Sequence, residues 1–222
     1  MNKISWSIFA ILTVGIFALL IFISNQSEID FSKINIDKVQ AASSDNGNIA
    51  DHTYGNKNSK VIVMEYADYQ CPGCAGVSPI VQAAIETYKD KVLLVFRNFP
   101  LTSAHANAKL AAASAEAAGL QGKYWEMHYK IFEQQQEWST LTGEDRINYF
   151  VDLAKELKLD TKKFKSDIAS SEVSRKISFD QALGGKAKVN QTPTVFINGK
   201  MLKTETLNTV DSLEEAIAKE IK

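Results

Sequence analysis

The stretch Val61-Ile62-Val63-Met64-Glu65-Tyr66-Ala67-Asp68-Tyr69-Gln70-Cys71-Pro72-Gly73-Cys74 carries the reading of the whole chain. Its first seven residues are β-branched or apolar apart from Glu65, the composition of a short strand buried on both faces. Beyond it, Val77, Ile80, Val81, Ala84, Ile85 and Tyr88 recur at helical spacing, and Pro79 is expected to kink that helix. Cys71 therefore falls at a strand-to-helix junction.

Working outward, Lys91 to Phe99 reads as a second strand stopped by Pro100. Helical patterns follow for most of the next eighty residues. An Ala-rich helix runs from Ser103 to Leu120; Trp125, His128, Tyr129 and Phe132 share one face of the next, and Ile147, Phe150, Val151, Ala154 and Leu157 form a stripe on another. Asp160 and Ser171 are expected N-caps, and Gly184-Gly185 is expected to close the helical block. Thr194 to Ile197, the Asn198-Gly199 turn and Lys200 to Lys203 then predict a hairpin, followed by an amphipathic helix carrying Leu213, Ala216 and Ile217. The order of strand, helix, strand, helical block, hairpin and helix describes a small α/β unit with a helical insertion at about residues 103–185.

Toward the N-terminus, residues 4–24 read ISWSIFAILTVGIFALLIFIS without a charge, long enough as a helix for a ~30 Å hydrocarbon core. Asn25-Gln26-Ser27-Glu28 follows in place of a small-residue cleavage site, which favours an uncleaved anchor in residues 1–24 over a cut near Val39-Gln40-Ala41. Lys3 precedes the span and the next basic residue is Lys33, so the domain is expected outside the cytoplasm, held by a single pass through the cell membrane. Residues 25–55, polar and ending in a Ser/Asn/Asp/Gly-rich stretch, are expected to be a flexible linker, with the folded domain over 56–222. The formal net charge is −1 and basic residues form no dense cluster, so nothing supports binding to nucleic acid.

The chain has two cysteines and both lie in the one Cys-x-x-Cys, so the pair can bond only to each other or to a partner. Unpaired N–H groups at a helix start favour a thiolate, which makes Cys71 the nucleophile and Cys74, one turn in, the resolving thiol. Pro72 suits the first helical position, Gly73 leaves room for a substrate chain, and the two together tune the potential. Glu65, buried in the first strand, should have a raised pKa and is a candidate proton acceptor for Cys74. Thr192-Pro193 opens the late hairpin, where a cis bond would leave Thr192 backbone groups to pair with an extended substrate. A zinc site would need a second ligand pair; His52, His105 and His128 are scattered, so no metal and no cofactor beyond the Cys71–Cys74 couple is expected. His128 is expected to be a core residue, as are Tyr66 and Tyr69.

A Cys-x-x-Cys at a helix start, Pro79 eight residues after Cys71 and a late Thr192-Pro193 resemble the thioredoxin superfamily. More closely, EYADYQCPGC, HANAKLAAASAEAAGLQGKYWEMHYKIF and TPTVFINGK resemble the membrane-anchored members of the bacterial DsbA-like family, from about Asn56 to the C-terminus. The resemblance implies a thioredoxin fold with an inserted helical domain, an acid at Glu65, a cis-proline at Pro193, reduced exported proteins as substrates and reoxidation by a quinone-linked membrane protein. Gln191 stands where the family has a small residue, and Pro72-Gly73 where its best-known oxidant has Pro-His. The same thiols could serve a reductase or isomerase, and the same fold a non-catalytic peptide-holding chaperone.

Overall fold

The computed structural model describes residues 9, 11–17 and 34–221, and the chain divides into Met1–Asn35 and Ile36–Lys222. In the first unit, residues 11–17 are helical, and Ile11, Leu12, Val14, Ile16 and Phe17 are exposed. The expected span of residues 4–24 lies mostly outside the described residues. Among those described, no helix is long and apolar enough to cross a membrane.

In the second unit, β1 (His52–Gly55), β2 (Val61–Ala67), β3 (Val92–Asn98), β4 (Thr194–Ile197) and β5 (Lys200–Met201) form one sheet. Its order is β1-β3-β2-β4-β5. β2 and β3 are parallel and the other pairs antiparallel. The parallel pair needs a crossover, and α1 (Pro72–Thr87) supplies it. Six helices lie between β3 and β4: α2 (Ala108–Gly119), α3 (Tyr124–Glu133), α4 (Gln135–Trp138), α5 (Asp145–Glu156), α6 (Thr161–Ile168) and α7 (Ser171–Lys186). α8 (Val210–Ile221) ends the fold. This is a thioredoxin-type α/β fold with a helical insertion.

Both central strands are buried along their whole length, as their composition implies. Val61, Val63, Val92, Leu94, Val195 and Ile197 pack with Val81, Ala84 and Ile85 of α1 and Leu213 and Ile217 of α8. Ala67, at the end of β2, instead joins Cys74 and the side chains of the insertion in a second apolar cluster. The motif therefore sits where the two cores meet.

Three expectations are corrected. The linker reading of residues 25–55 fails from Ile36 onward: β1 pairs with β3, and Gly47 (φ 64°) sits so close to the Glu172 carbonyl that a Cβ would lie 2.1 Å from it. The polarity of this segment reflects ion pairing. Buried Asp51 accepts from Arg97 at 2.8 Å and from Lys176 at 2.9 Å, and Lys176 also reaches Asp180 at 2.6 Å. Arg97 further donates to the Ile36 and Lys38 carbonyls. Gly184-Gly185 does not close the helical block, because α7 continues to Lys186; Gly184 is small because the Phe99 ring lies 2.6 Å from where a Cβ would stand. Finally, the N-cap of α7 is Ser170, whose hydroxyl accepts from Val173 N, while Asp160 caps α6 as expected.

Lys176, Asp51, Asp180 and Arg97 are all fully buried at their side chains, so removing one partner strands charge in the core. Lys176→Met should lower the unfolding free energy by roughly 3–5 kcal/mol, read from urea titration. A loss below about 1 kcal/mol would contradict that accounting.

Candidate redox site

β2 delivers the chain into a short turn, and the turn delivers Cys71 to the N-cap of α1, with extended backbone at φ −72° and ψ 122°. Pro72 occupies the first turn, where the missing N–H costs nothing. Pro79 lies within α1. Cys71 is partly exposed, Cys74 is buried, and both are free thiols.

The two sulfurs are driven apart chemically. A hydrogen bond from the Cys74 thiol, helped by Thr192 and the backbone N–H groups of Cys74 and Gly73, outweighs partial burial and brings Cys71 from 9.0 down to about 5. Burial first, and then the neighbouring Cys71 sulfur, raise Cys74 far above 9.0. One turn of helix thus holds a thiolate at the surface and a thiol inside.

The Thr192–Pro193 bond is cis. The Thr192 carbonyl oxygen lies 3.5 Å from Cys71 Sγ and accepts from it when that sulfur is protonated. A Cβ on Gly73 would stand 3.6 Å from Pro193 Cδ and 3.7 Å from Cys71 Sγ, so dipeptide, nucleophile and proline form one surface. The Thr192 hydroxyl is buried, has no partner in hydrogen-bond geometry among the described residues, and favours the thiolate form of both sulfurs.

Glu65 lies opposite Phe96 on β3 and Val195 on β4, and only 2% of its surface is exposed. By the two-residue period of a strand it faces the same way as Val61, Val63 and Ala67, toward the side covered by α1. Its Oε1 has no hydrogen-bond partner among the described residues, and burial raises it from 4.5 to about 8.

Several residues that hold the motif in place were not expected from the sequence. Gln135 Nε2 donates to the Tyr69 and Cys71 carbonyls at 2.7 and 3.0 Å. Gln70 donates to the Ser139 carbonyl and accepts from Asn107 N. Asp68 accepts from Gln70 N two residues on, a side-chain turn that Asp-x-Gln before a helix start could have announced. His128 and Tyr69 are core residues as expected, joined Nδ1 to hydroxyl at 2.8 Å, and burial lowers His128 to about 3. Beside Pro72 a groove of about 760 Å³ runs between α1 and the α3–α4 region, bordered by Ala75, Gly76, Pro79, Phe132, Glu133 and Glu137. Among the described residues, no group of three or more His, Cys, Asp or Glu could hold a metal ion.

A thioredoxin-type sheet that presents an activated cysteine at a helix start, a buried partner one turn later and a cis-proline against them has the geometry for dithiol–disulfide exchange. A family model described as thioredoxin matches residues 47–219, and the chain belongs to the thioredoxin family. It is 32% identical over 175 residues to the Bacillus anthracis "Probable disulfide bond formation protein D", covering 76% of this chain and 77% of that one. The crystal structure of oxidised BdbD from Bacillus subtilis is similar at 25% identity and a TM-score of 0.66, covering 82% of this chain and 97% of that chain. A further relative is the Na(+)/H(+) antiporter NhaA 3 of Salinispora tropica, 37% identical over 150 residues. The match takes in 68% of this chain but spans only 22% of the antiporter's length.

Two measurements check the electrostatics. Alkylation of Cys71 by iodoacetamide should lose half its rate near pH 5, whereas a midpoint near 8.5 would show an unactivated thiol. Because the folded-state value of Glu65 lies above 4.5, the folded protein binds that proton more tightly than the unfolded chain does. Its contribution to stability is therefore full below about pH 4.5 and lost as the pH rises through about 8, and Glu65→Gln should flatten that fall in denaturation curves. An unchanged slope would place the carboxyl in solvent.

Proposed function

We propose that this chain is a protein disulfide oxidase, which introduces disulfide bonds into exported polypeptides at the outer face of a cell membrane. The observation that carries the reading is the opposed state of the two sulfurs across one turn of α1. Stabilising Cys71 as a thiolate stabilises the reduced form, which makes the Cys71–Cys74 disulfide a stronger oxidant.

In the forward reaction a substrate thiolate attacks Cys71 Sγ. The Cys71–Cys74 bond breaks, its electron pair leaves on Cys74 Sγ, and a mixed disulfide joins Cys71 to the substrate. A second substrate thiolate then attacks the substrate sulfur and expels Cys71, a good leaving group because its pKa is low. The substrate is oxidised by two electrons and the couple is left as a dithiol.

Glu65 has the role of proton partner for Cys74. Protonated near neutral pH, it supplies a proton as Cys74 leaves and takes one back when Cys74 attacks in reoxidation. The Thr192–Pro193 edge binds the extended substrate next to its cysteine, and the groove beside Pro72 gives that chain room to continue. A quinone-linked membrane protein withdraws the two electrons and restores the disulfide.

Membrane attachment through residues 4–24 is supported by the uncharged run and by the exposed apolar side chains of residues 11–17.

Oxidative refolding of a reduced, disulfide-containing protein tests the activity. The oxidised chain should restore activity to that protein, Cys71→Ser should abolish the effect, and Cys74→Ser should accumulate a mixed disulfide through Cys71. Refolding by Cys71→Ser at the wild-type rate would instead identify a peptide-holding module.

A further inference from the structure

We propose that Asp68 and His105 form a positioning pair that sets Cys74 for bond closure, a role that rests on the dithiol reading above. Asp68 brackets both cysteines through its backbone: its carbonyl accepts from Cys71 N at 3.1 Å, and its N–H donates to Cys74 Sγ at 3.5 Å. That N–H is placed to meet the negative charge that collects on Cys74 when the Cys71–Cys74 bond breaks, and to hold the same sulfur when it attacks.

The carboxylate fixes where the N–H points. Its side chain is fully buried and held by three donors: Oδ1 accepts from Gln70 N at 2.7 Å, and Oδ2 accepts from Leu101 N at 2.7 Å and faces His105 Nδ1 at 2.8 Å. Two of these come from the segment after β3, which also donates from Phe99 N to the Ala67 carbonyl. The peptide that touches Cys74 is thereby tied to a neighbouring strand exit as well as to its own turn. His105 is the one side-chain donor of the three and is partly exposed, so it can be changed with little damage to the core. His105 reaches Cys74 only through Asp68, so the pair acts through Cys74.

In the closure reaction Cys74 Sγ attacks Cys71 Sγ of a mixed disulfide with glutathione; the Cys71–glutathione bond breaks, glutathione leaves with the electron pair, and the Cys71–Cys74 bond forms. The test follows glutathione release from the full chain carrying that mixed disulfide. His105→Ala should slow release about tenfold, the effect of losing one anchoring hydrogen bond at the reacting group. Alkylation of Cys71, measured in a Cys74→Ser background, should change by less than about twofold, since Asp68 meets Cys71 only at its backbone N–H, whereas its sulfur is set by the first turn of α1 and Thr192 and its carbonyl is also held by Gln135. His105→Asn, whose amide can donate where Nδ1 does, should restore most of the closure rate.

The proposal fails if His105→Ala closes at the wild-type rate, if His105→Asn is no better than alanine, or if Cys71 alkylation falls in parallel with closure. Failure of Cys71 to take up glutathione at all would overturn the dithiol reading itself, which is a separate result.

Discussion

Two sulfurs one helical turn apart must be held in opposite states, and most of the molecule serves that constraint. Cys71 needs donors and access, which the first turn of α1 and a partly exposed position supply. Cys74 needs burial, which the junction of the two apolar clusters supplies. A helix start alone would lower both values; the difference comes from placing one sulfur outside the packed core and the other within it.

The turn between β2 and α1 has to be rigid for this to work, and its rigidity comes from the insertion. Gln135 from α4 binds the Tyr69 and Cys71 carbonyls, while Gln70 reaches the Ser139 carbonyl and the Asn107 backbone. The insertion is in turn fastened to the sheet by buried charge. Arg97 on β3, Lys176 and Asp180 on α7 and Asp51 just before β1 form a connected set, so the segment that leads into the sheet is structural. The geometry at Cys71 is thus linked to ion pairs at the far side of the sheet.

The core of this arrangement was legible in the sequence because it follows local periodicity. Strand Val61–Ala67 emerged with the boundaries its β-branched run implies, α1 followed from helical spacing, and the burial of Glu65 followed from an acid inside an apolar strand. What local pattern could not show are features decided by distant partners. Residues 36–55 look like a tether until Asp51 is seen against Arg97 and Lys176. Gly184 looks like a helix stop until Phe99 is seen against it. Asp68 looks like an ordinary turn residue until Leu101 and His105, more than thirty residues away, are seen against it. The expected membrane span belongs to a third kind, since its reading rests on an uncharged run that lies mostly outside the described residues.

The central claim is that stabilising the Cys71 thiolate makes this couple an oxidant, and the reduction potential of Cys71–Cys74, equilibrated against glutathione, tests it most directly. The account predicts a value well above that of thioredoxin, in the range of about −120 to −180 mV occupied by strongly oxidising members of the superfamily. A value near about −270 mV would contradict it and mark the chain as a reductase.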